Sequence, residues 1–458
     1  MARGTLTILA SLLALAVAPA HAGAPLFGFN DNTTLRQQFT PAQDADLLAR
    51  AGANSMRIVV DWTWVERQQG ALDLSLYDPI YEAMLARGIR PLLNVMGSPK
   101  WAWTKWTLCF PVEDCHVAPD RAHNAAWGNF VRQVALRFPR AAAIEIWNEP
   151  NLRLFFRPAP NAQRYTELLR IGRDAVRSAD PAMPVIGGAL AAVLGDSSSS
   201  AVGLRPFLWG MYANGARGLM DGLSVHPYPG GRGPAGIYDA IDATIETRDT
   251  AQDDTPLWIT ETGASTTGDY SESAQAAVLG DIVPRLLRRP GVAGVYLHTL
   301  ADPSERTFTI EDGYGIVRSS GTPKPAFCTL TAVFGEPECT GPVAGPRTTA
   351  RWDAQEHLQS AAESALAWRR QSGAYVGYVS GSVPPDVEAT PGPAADPASI
   401  AVLAVPGRPT ALRLCNASTD TRSYCLTLVP GGPWQFTSLN GSIAETVAAT
   451  DAGTASSW

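Results

Sequence analysis

The sequence predicts an α/β chain: a (β/α)8 TIM barrel followed by a smaller, mostly β accessory domain. Three observations point there. Short β-branched apolar runs recur along residues 26 to 298, and amphipathic segments fill the gaps between them. The starts of eight such runs are spaced 29, 34, 54, 41, 37, 35 and 36 residues apart, close to the length of one βα unit. After Gly341 the texture changes to short strand-like runs around a Pro-rich stretch. A doubly wound open sheet is the competing arrangement, but no glycine-rich phosphate loop follows the first strand to support it.

The expected strands are Leu26 to Asn30, Ser55 to Asp61, Ile89 to Met96, Ala143 to Asn148, Pro184 to Leu190, Asp221 to His226, Pro256 to Glu261 and Val292 to His298. Between them, Tyr77 to Arg87 and Ala162 to Ser178 carry helical patterning. The one long interval holds an enlarged loop, Gly97 to Ala118, with Trp101, Trp103 and Trp106; because it follows a strand's carboxyl end, it should stand over the face where barrels place their sites. Lys324-Pro325-Ala326-Phe327 opens a last helix toward Phe334. Beyond it a helix is expected over Trp352 to Arg370, with strands at Tyr375 to Val379, Ile400 to Val405, Thr410 to Cys415 and Tyr424 to Val429. The expected division is therefore residues 1–22, 23–340 and 341–458.

The first of these reads as a secretory signal. Arg3 supplies a positive start, Leu6 to Val17 an apolar run too short to span a bilayer, and Ala20-His21-Ala22 a small-residue cleavage site. The product is expected to be secreted or periplasmic, without a transmembrane segment. Six cysteines suit that compartment, and Cys109/Cys115, Cys328/Cys339 and Cys415/Cys425 fall into three sequence-local couples expected to form disulfides. Asn32, Asn416 and Asn440 open N-x-Ser/Thr sequons, which matter only in a glycosylating host. The chain is 458 residues long, with 36 Lys and Arg against 43 Asp and Glu, a formal charge of −7 and no basic block, so a nucleic-acid partner is not expected. The hydrophobic share of 45% is enough for a large core. The oligomeric state is open, with a monomer expected.

Two glutamates carry the chemistry. Glu149, in Ile146-Trp147-Asn148-Glu149-Pro150-Asn151, lies just past the fourth strand, and Glu261, in Trp258-Ile259-Thr260-Glu261-Thr262-Gly263, ends the seventh. Strands four and seven of an eight-fold barrel face each other across its mouth, so the two carboxyls can converge in one cleft. Two carboxyls about 5 Å apart suit a retaining glycosidase, in which one protonates the leaving oxygen and the other attacks the anomeric carbon. An isolated glutamate in such a barrel is more often a solvated surface charge. A metal-dependent hydrolase would need His/Asp clusters at strand ends; only His226 and His298 qualify, and neither a metal nor another cofactor is expected.

Asn148-Glu149-Pro150 with Glu261 112 residues later resembles the clan A glycoside hydrolases. Further stretches resemble family 39 within that clan: Asp61-Trp62-Thr63-Trp64-Val65-Glu66, Ser98-Pro99-Lys100-Trp101-Ala102, His226-Pro227-Tyr228 and Gly321-Thr322-Pro323-Lys324-Pro325-Ala326. The resemblance covers about residues 26 to 335 and is nearest the bacterial branch that cuts exopolysaccharides, the Psl polysaccharide hydrolases, in a family shared with β-xylosidases and α-L-iduronidases. It implies that Glu149 is the acid/base and Glu261 the nucleophile, with Asn148 donating to the sugar 2-hydroxyl unless it merely caps backbone. Repulsion from ionised Glu261 would keep the proton on Glu149 until attack. Arg57, inside an apolar strand, must be paired: the clan pattern has it hold the nucleophile ionised, while alternation also allows an ion pair with Asp61. His226 and Tyr228 are implied to bond the nucleophile or the substrate.

Seven of the thirteen tryptophans fall between Trp62 and Trp147. Trp62, Trp64, Trp101 and Trp103 are expected in loops after strands, where they either stack on sugar faces or pack the loops themselves; Trp127 and Trp147 are expected in the core. Many clan members end strand eight with a tryptophan under the central sugar, but this chain has Val295-Tyr296-Leu297-His298-Thr299, so Tyr296 or His298 must fill that place. The activity expected is endo-hydrolysis of a polysaccharide or oligosaccharide by double displacement. An exo-acting β-glycosidase and a non-catalytic polysaccharide-binding barrel are the alternatives.

Overall fold

A computed structural model describes residues 24–36, 38–103, 116–267, 270–303, 310–335 and 339, together with five strands between residues 388 and 440. The proposed signal segment, Trp106, Cys109 and Cys115, the helix expected over 352–370 and the strand expected over 375–379 lie outside the described residues.

Eight strands close into a barrel in chain order: β1 (Leu26–Asn30), β2 (Ser55–Asp61), β3 (Arg90–Met96), β4 (Ala143–Ile146), β5 (Val185–Ala191), β6 (Gly222–His226), β7 (Leu257–Thr262) and β8 (Val292–His298). Every neighbouring pair is parallel, and β1 closes on β8 in the register Leu26↔Gly294 to Asn30↔His298. Such strands are covered on both faces, which is why β5 is buried along its whole length and reads as a continuous apolar run. Nine helices are described: α1 (Pro41–Arg50), α2 (Trp62–Val65), α3 (Asp78–Ala86), α4 (Asn124–Arg137), α5 (Ala162–Ala179), α6 (Leu204–Ala213), α7 (Pro234–Thr250), α8 (Glu272–Leu287) and α9 (Pro325–Phe334). Their starts follow local chemistry. Thr40 and Gln43 exchange bonds in a capping box before α1, and Asn161 and Ser271 cap α5 and α8.

The β4 strand ends two residues earlier than the sequence suggests. Trp147 and Glu149 have φ of 73° and 41°, a left-handed conformation that costs a non-glycine residue about 1–3 kcal/mol and breaks the alternation of the strand. The turned segment is held by Trp147 N–H on Val95 O (2.8 Å), Glu149 N–H on Ala189 O (2.9 Å) and Asn94 Nδ2 on Trp147 O (2.6 Å). Trp147 therefore swings outward against Trp127 of α4, while Asn148 and Glu149 turn to the mouth. A register shift in β7 between Ile259 and Thr262 plays the same part for Glu261.

Deeper in the barrel, Leu92, Ala143, Ile186, Trp258 and Tyr296 form a sealed layer, with Trp258 and Tyr296 stacked at 6.3 Å. Glycines make the room: a Cβ on Gly222 would come within 2.5 Å of the Trp258 ring, and one on Gly294 within 2.8 Å. The main apolar cluster lies outside, between strands and helices.

Towards the C-terminus, β9 (Glu388–Thr390), β10 (Ser399–Ala404), β11 (Leu412–Ala417), β12 (Arg422–Leu428) and β13 (Gln435–Asn440) form a sheet in the order β13-β12-β11-β10-β9. The sequence reading placed β10 to β12 to within two residues but passed over β9, inside the Pro-rich stretch, and β13. Cys415 and Cys425 face each other across β11 and β12 and are bonded, as are Cys328 and Cys339. Among the described residues, no helix is long and apolar enough to cross a membrane.

Candidate active site

The mouth of the barrel gathers polar side chains from strand ends into one network around Glu261. Its Oε1 accepts from Arg57 Nη1 (2.7 Å) and Asn30 Nδ2 (2.9 Å), and its Oε2 accepts from the Tyr228 hydroxyl (3.0 Å). His226 Nδ1 lies 3.0 Å from Glu149 Oε1 and 3.6 Å from Glu261 Oε2, with His226 Nε2 braced on Thr260 Oγ1 at 3.0 Å. The two glutamates and His226 each bring one such atom within 4.8 Å of the others. Both glutamate side chains keep 12% of their surface open, so the cleft reaches them from outside.

Burial alone would push the Glu261 carboxyl upward. His226, Arg57 and His298 act on it electrostatically and Tyr228 by its hydrogen bond, and together they hold it down at about 2. Glu261 is thus ready as an anion across the working pH range of most proteins.

Arg57 is fully buried and spends every face of its guanidinium. Besides Glu261 it donates from Nε to Glu145 Oε2 (2.6 Å), from Nη2 to Asn148 Oδ1 (2.7 Å) and from Nη1 to Asn30 Oδ1 (3.0 Å). Its anions are therefore Glu261 and Glu145, not Asp61, which instead caps α2 through Thr63 N–H. The bond to Asn148 fixes that amide with its oxygen toward Arg57 and its NH2 group turned the other way. A metal could draw donors from Glu149, His226 and Glu261, but a buried guanidinium 2.7 Å from Glu261 already fills the place of a cation.

Two expectations need correction. Tyr296 does not reach the cleft: it is fully buried in the sealed layer, with its hydroxyl 2.8 Å from Ser55 Oγ. It shares its strand face with His298 but sits two residues, about 7 Å, deeper. His298 is the one at the mouth, its Nδ1 3.1 Å from Asn30 Nδ2. Trp62 is likewise core, not rim. It opens α2 rather than a loop, stacks on Phe130 at 5.5 Å and donates to Glu66 Oε2. Of the other tryptophans, Trp64 is 41% exposed, whereas Trp101 and Trp103 are half-buried and hydrogen-bonded to Glu66 O and Ser98 O.

Asn30, Glu145, Thr260 and Tyr314 belong to the site's surroundings without having been singled out. Asn30 and Glu145 are polar residues in apolar strands, the same signal that marks Glu261 and Arg57. Tyr314 falls outside every motif picked out in the sequence; its ring meets those of Tyr228 and His298 at 5.3 Å each. Its loop is pinned by Lys324, which reaches Asp302 Oδ2 (2.7 Å), Thr266 Oγ1 (3.1 Å) and Gly313 O (3.3 Å) and so ties the segments after β7 and β8 together.

No family model matches the chain. A stretch of 120 residues is 31% identical to a β-xylosidase of Geobacillus stearothermophilus, covering 25% of this chain and 23% of that protein. Among solved structures, a family 39 glycoside hydrolase from Bacteroides cellulosilyticus WH2 aligns over 65% of this chain and 60% of its own, with TM-score 0.51 and 20% identity. A monomeric β-xylosidase from Caulobacter crescentus CB15 aligns over 69% and 70%, with TM-score 0.53 and 21% identity. The chain thus spans about a quarter of the curated relative that it matches, and it shares the barrel fold of family 39 glycoside hydrolases.

Proposed function

We propose that the protein is a retaining glycoside hydrolase of the family 39 type, exported from the cytoplasm and endo-acting on a polysaccharide, a bacterial exopolysaccharide foremost. The observation that carries the reaction type is the carboxylate pair, with oxygens of Glu149 and Glu261 within 4.8 Å of each other. A pair about 5–5.5 Å apart leaves no room for a water between nucleophile and sugar, whereas inverting enzymes hold theirs about 6.5–9.5 Å apart.

Glu261 attacks the anomeric carbon as the bond to the leaving oxygen breaks, and Glu149 gives its proton to that oxygen. Glu149 then takes a proton from water, whose oxygen displaces Glu261 and restores the carboxylate. The NH2 group of Asn148, oriented by Arg57, is placed to donate to the sugar 2-hydroxyl. A non-catalytic barrel would have no use for a carboxylate held ionised by a buried arginine. Endo action draws support from the exposed Trp64 on the segment after β2, and export from the disulfides. An exo-acting β-xylosidase is the second reading, favoured by the 120-residue match.

Glu149→Gln and Glu261→Gln are each expected to lower kcat at least about 100-fold with the circular dichroism spectrum unchanged. Product analysis on xylan and on bacterial exopolysaccharides separates the two readings: a ladder of oligosaccharides marks endo action, and monosaccharide alone marks exo action. An α product from a β-glycoside, followed by NMR, would defeat double displacement.

A further inference from the structure

We propose that Glu145 keeps Arg57 electrically paired while Glu261 is tied up as an ester, and so acts as a positioning residue for the covalent half of the reaction. The inference rests on the double-displacement reading above.

Arg57 is a wholly buried cation between two anions, Glu261 at 2.7 Å from Nη1 and Glu145 at 2.6 Å from Nε. When a Glu261 oxygen bonds to the anomeric carbon, the leaving-group bond breaks and the Glu149 proton moves to the departing oxygen. Glu261 then has no charge to offer. The set Arg57, Glu145 and Glu261 passes from a net charge of −1 to 0, and the guanidinium keeps one partner. Without Glu145 the same step would pass from 0 to +1, leaving an unpaired charge in the barrel just as positive charge builds on the sugar ring.

The placement of Glu145 fits this and little else. It is fully buried in β4, away from the 12%-open carboxylates. It takes Nε of Arg57 and leaves both Nη atoms for Glu261, Asn148 and Asn30. Its other contact is Asn94 Nδ2 at 3.0 Å on the same oxygen, and among the described residues its Oε1 has no hydrogen-bond partner. A buried carboxylate with an idle oxygen is a poor device for stability, because desolvation offsets most of what the ion pair returns.

The test uses full-length enzyme and the 2,4-dinitrophenyl 2-deoxy-2-fluoro-β-glycosides of xylose, glucose and mannose, with covalent labelling and its reversal followed by intact mass. With the glycoside that labels the wild type, Glu145→Gln is expected to slow labelling about 100-fold while the rate of label loss stays level or rises, since the ester and the transition states on either side of it are raised together relative to the free enzyme. Glu145→Asp restores the charge and is expected to recover labelling at least about ten-fold relative to Glu145→Gln. Where Glu145→Gln does not fold, Glu145→Asp alone carries the test: labelling slowed against the wild type with label loss unchanged. Labelling at the wild-type rate, or both rates falling by one factor as in a generally loosened site, overturns the proposal. If none of the three glycosides labels the wild type, double displacement itself falls, and the proposal with it.

Discussion

Tyr228 gives the clearest handle on Glu261 because its hydroxyl bonds the carboxylate without touching Arg57. Removing it in Tyr228→Phe takes one stabilising bond from the ionised form, so the carboxyl must titrate higher. We expect the acidic limb of kcat/KM to move up by about one pH unit. Equal limbs in the two proteins would show that the hydroxyl serves substrate alone. The same depression of Glu261 bears on folding: a carboxyl held below its unfolded value stabilises the native state above that value, and the contribution is lost as pH falls from about 4.5 toward 2. At this scale much of the site was legible. Glu261 and Arg57 stand out because a polar side chain in an apolar strand must have a reason to be there, and Glu149 because Asn148-Glu149-Pro150 follows the fourth strand directly. Asn30 and Glu145 obey that rule too, and Glu145, flanked by Ile144 and Ile146, could have been found as the partner that a buried arginine requires. Tyr314 could not, since no periodicity connects a loop after β8 to the ring of Tyr228.

Among the elements, strands were easier to place than short helices. Continuous apolar runs fixed β1, β2 and β8 to the residue, whereas the single turn of α2 has no period long enough to reveal which way Trp62 faces. The junction of β1 and α1 holds a feature that no pattern announced: Asp31 and Asp44 are both fully buried, and the Thr33 hydroxyl lies 2.9 Å from one and 2.7 Å from the other. A hydroxyl has one hydrogen to give, so one carboxyl must supply the other. Burial raises both groups, and the neighbouring Asp31 raises Asp44 further. A folded-state value above the unfolded one means stability that is full below the ordinary aspartate range and lost as pH rises through the folded value. Asp44→Asn mimics the protonated form, so melting at pH 8 is expected to rise by about 2–4 °C over the wild type, with no difference at acid pH. A melting temperature lower than the wild type's at pH 8 and equal to it at acid pH would show instead that Asp44 is ionised in the fold and stabilises it as an anion. The site feels this junction through Asn30, which immediately precedes Asp31.

For the molecule as a whole, every described residue of the network from Asn30 to Tyr314 comes from the barrel or its loops. A chain ending at residue 340 is accordingly expected to keep kcat on a small aryl glycoside within about two-fold, because a domain with its own core folds alone. A ten-fold loss, with the barrel's circular dichroism intact, would bring the sheet into the reaction. The closed ring was legible from eight strands recurring at about the length of a βα unit, but the depth at which each inward side chain sits was not, since it depends on strand stagger and on which neighbours are glycines. That depth has a kinetic consequence. The stacked Trp258 and Tyr296 stop the barrel like a cork, so among the described residues the carboxylates open to solvent at the mouth and not through the floor. On the proposed double displacement, the severed half of the substrate must vacate that opening before water can enter to release the other half, and any hydroxyl waiting there competes with water for the trapped sugar. At high substrate concentration the protein should therefore build longer glycans as well as cut them.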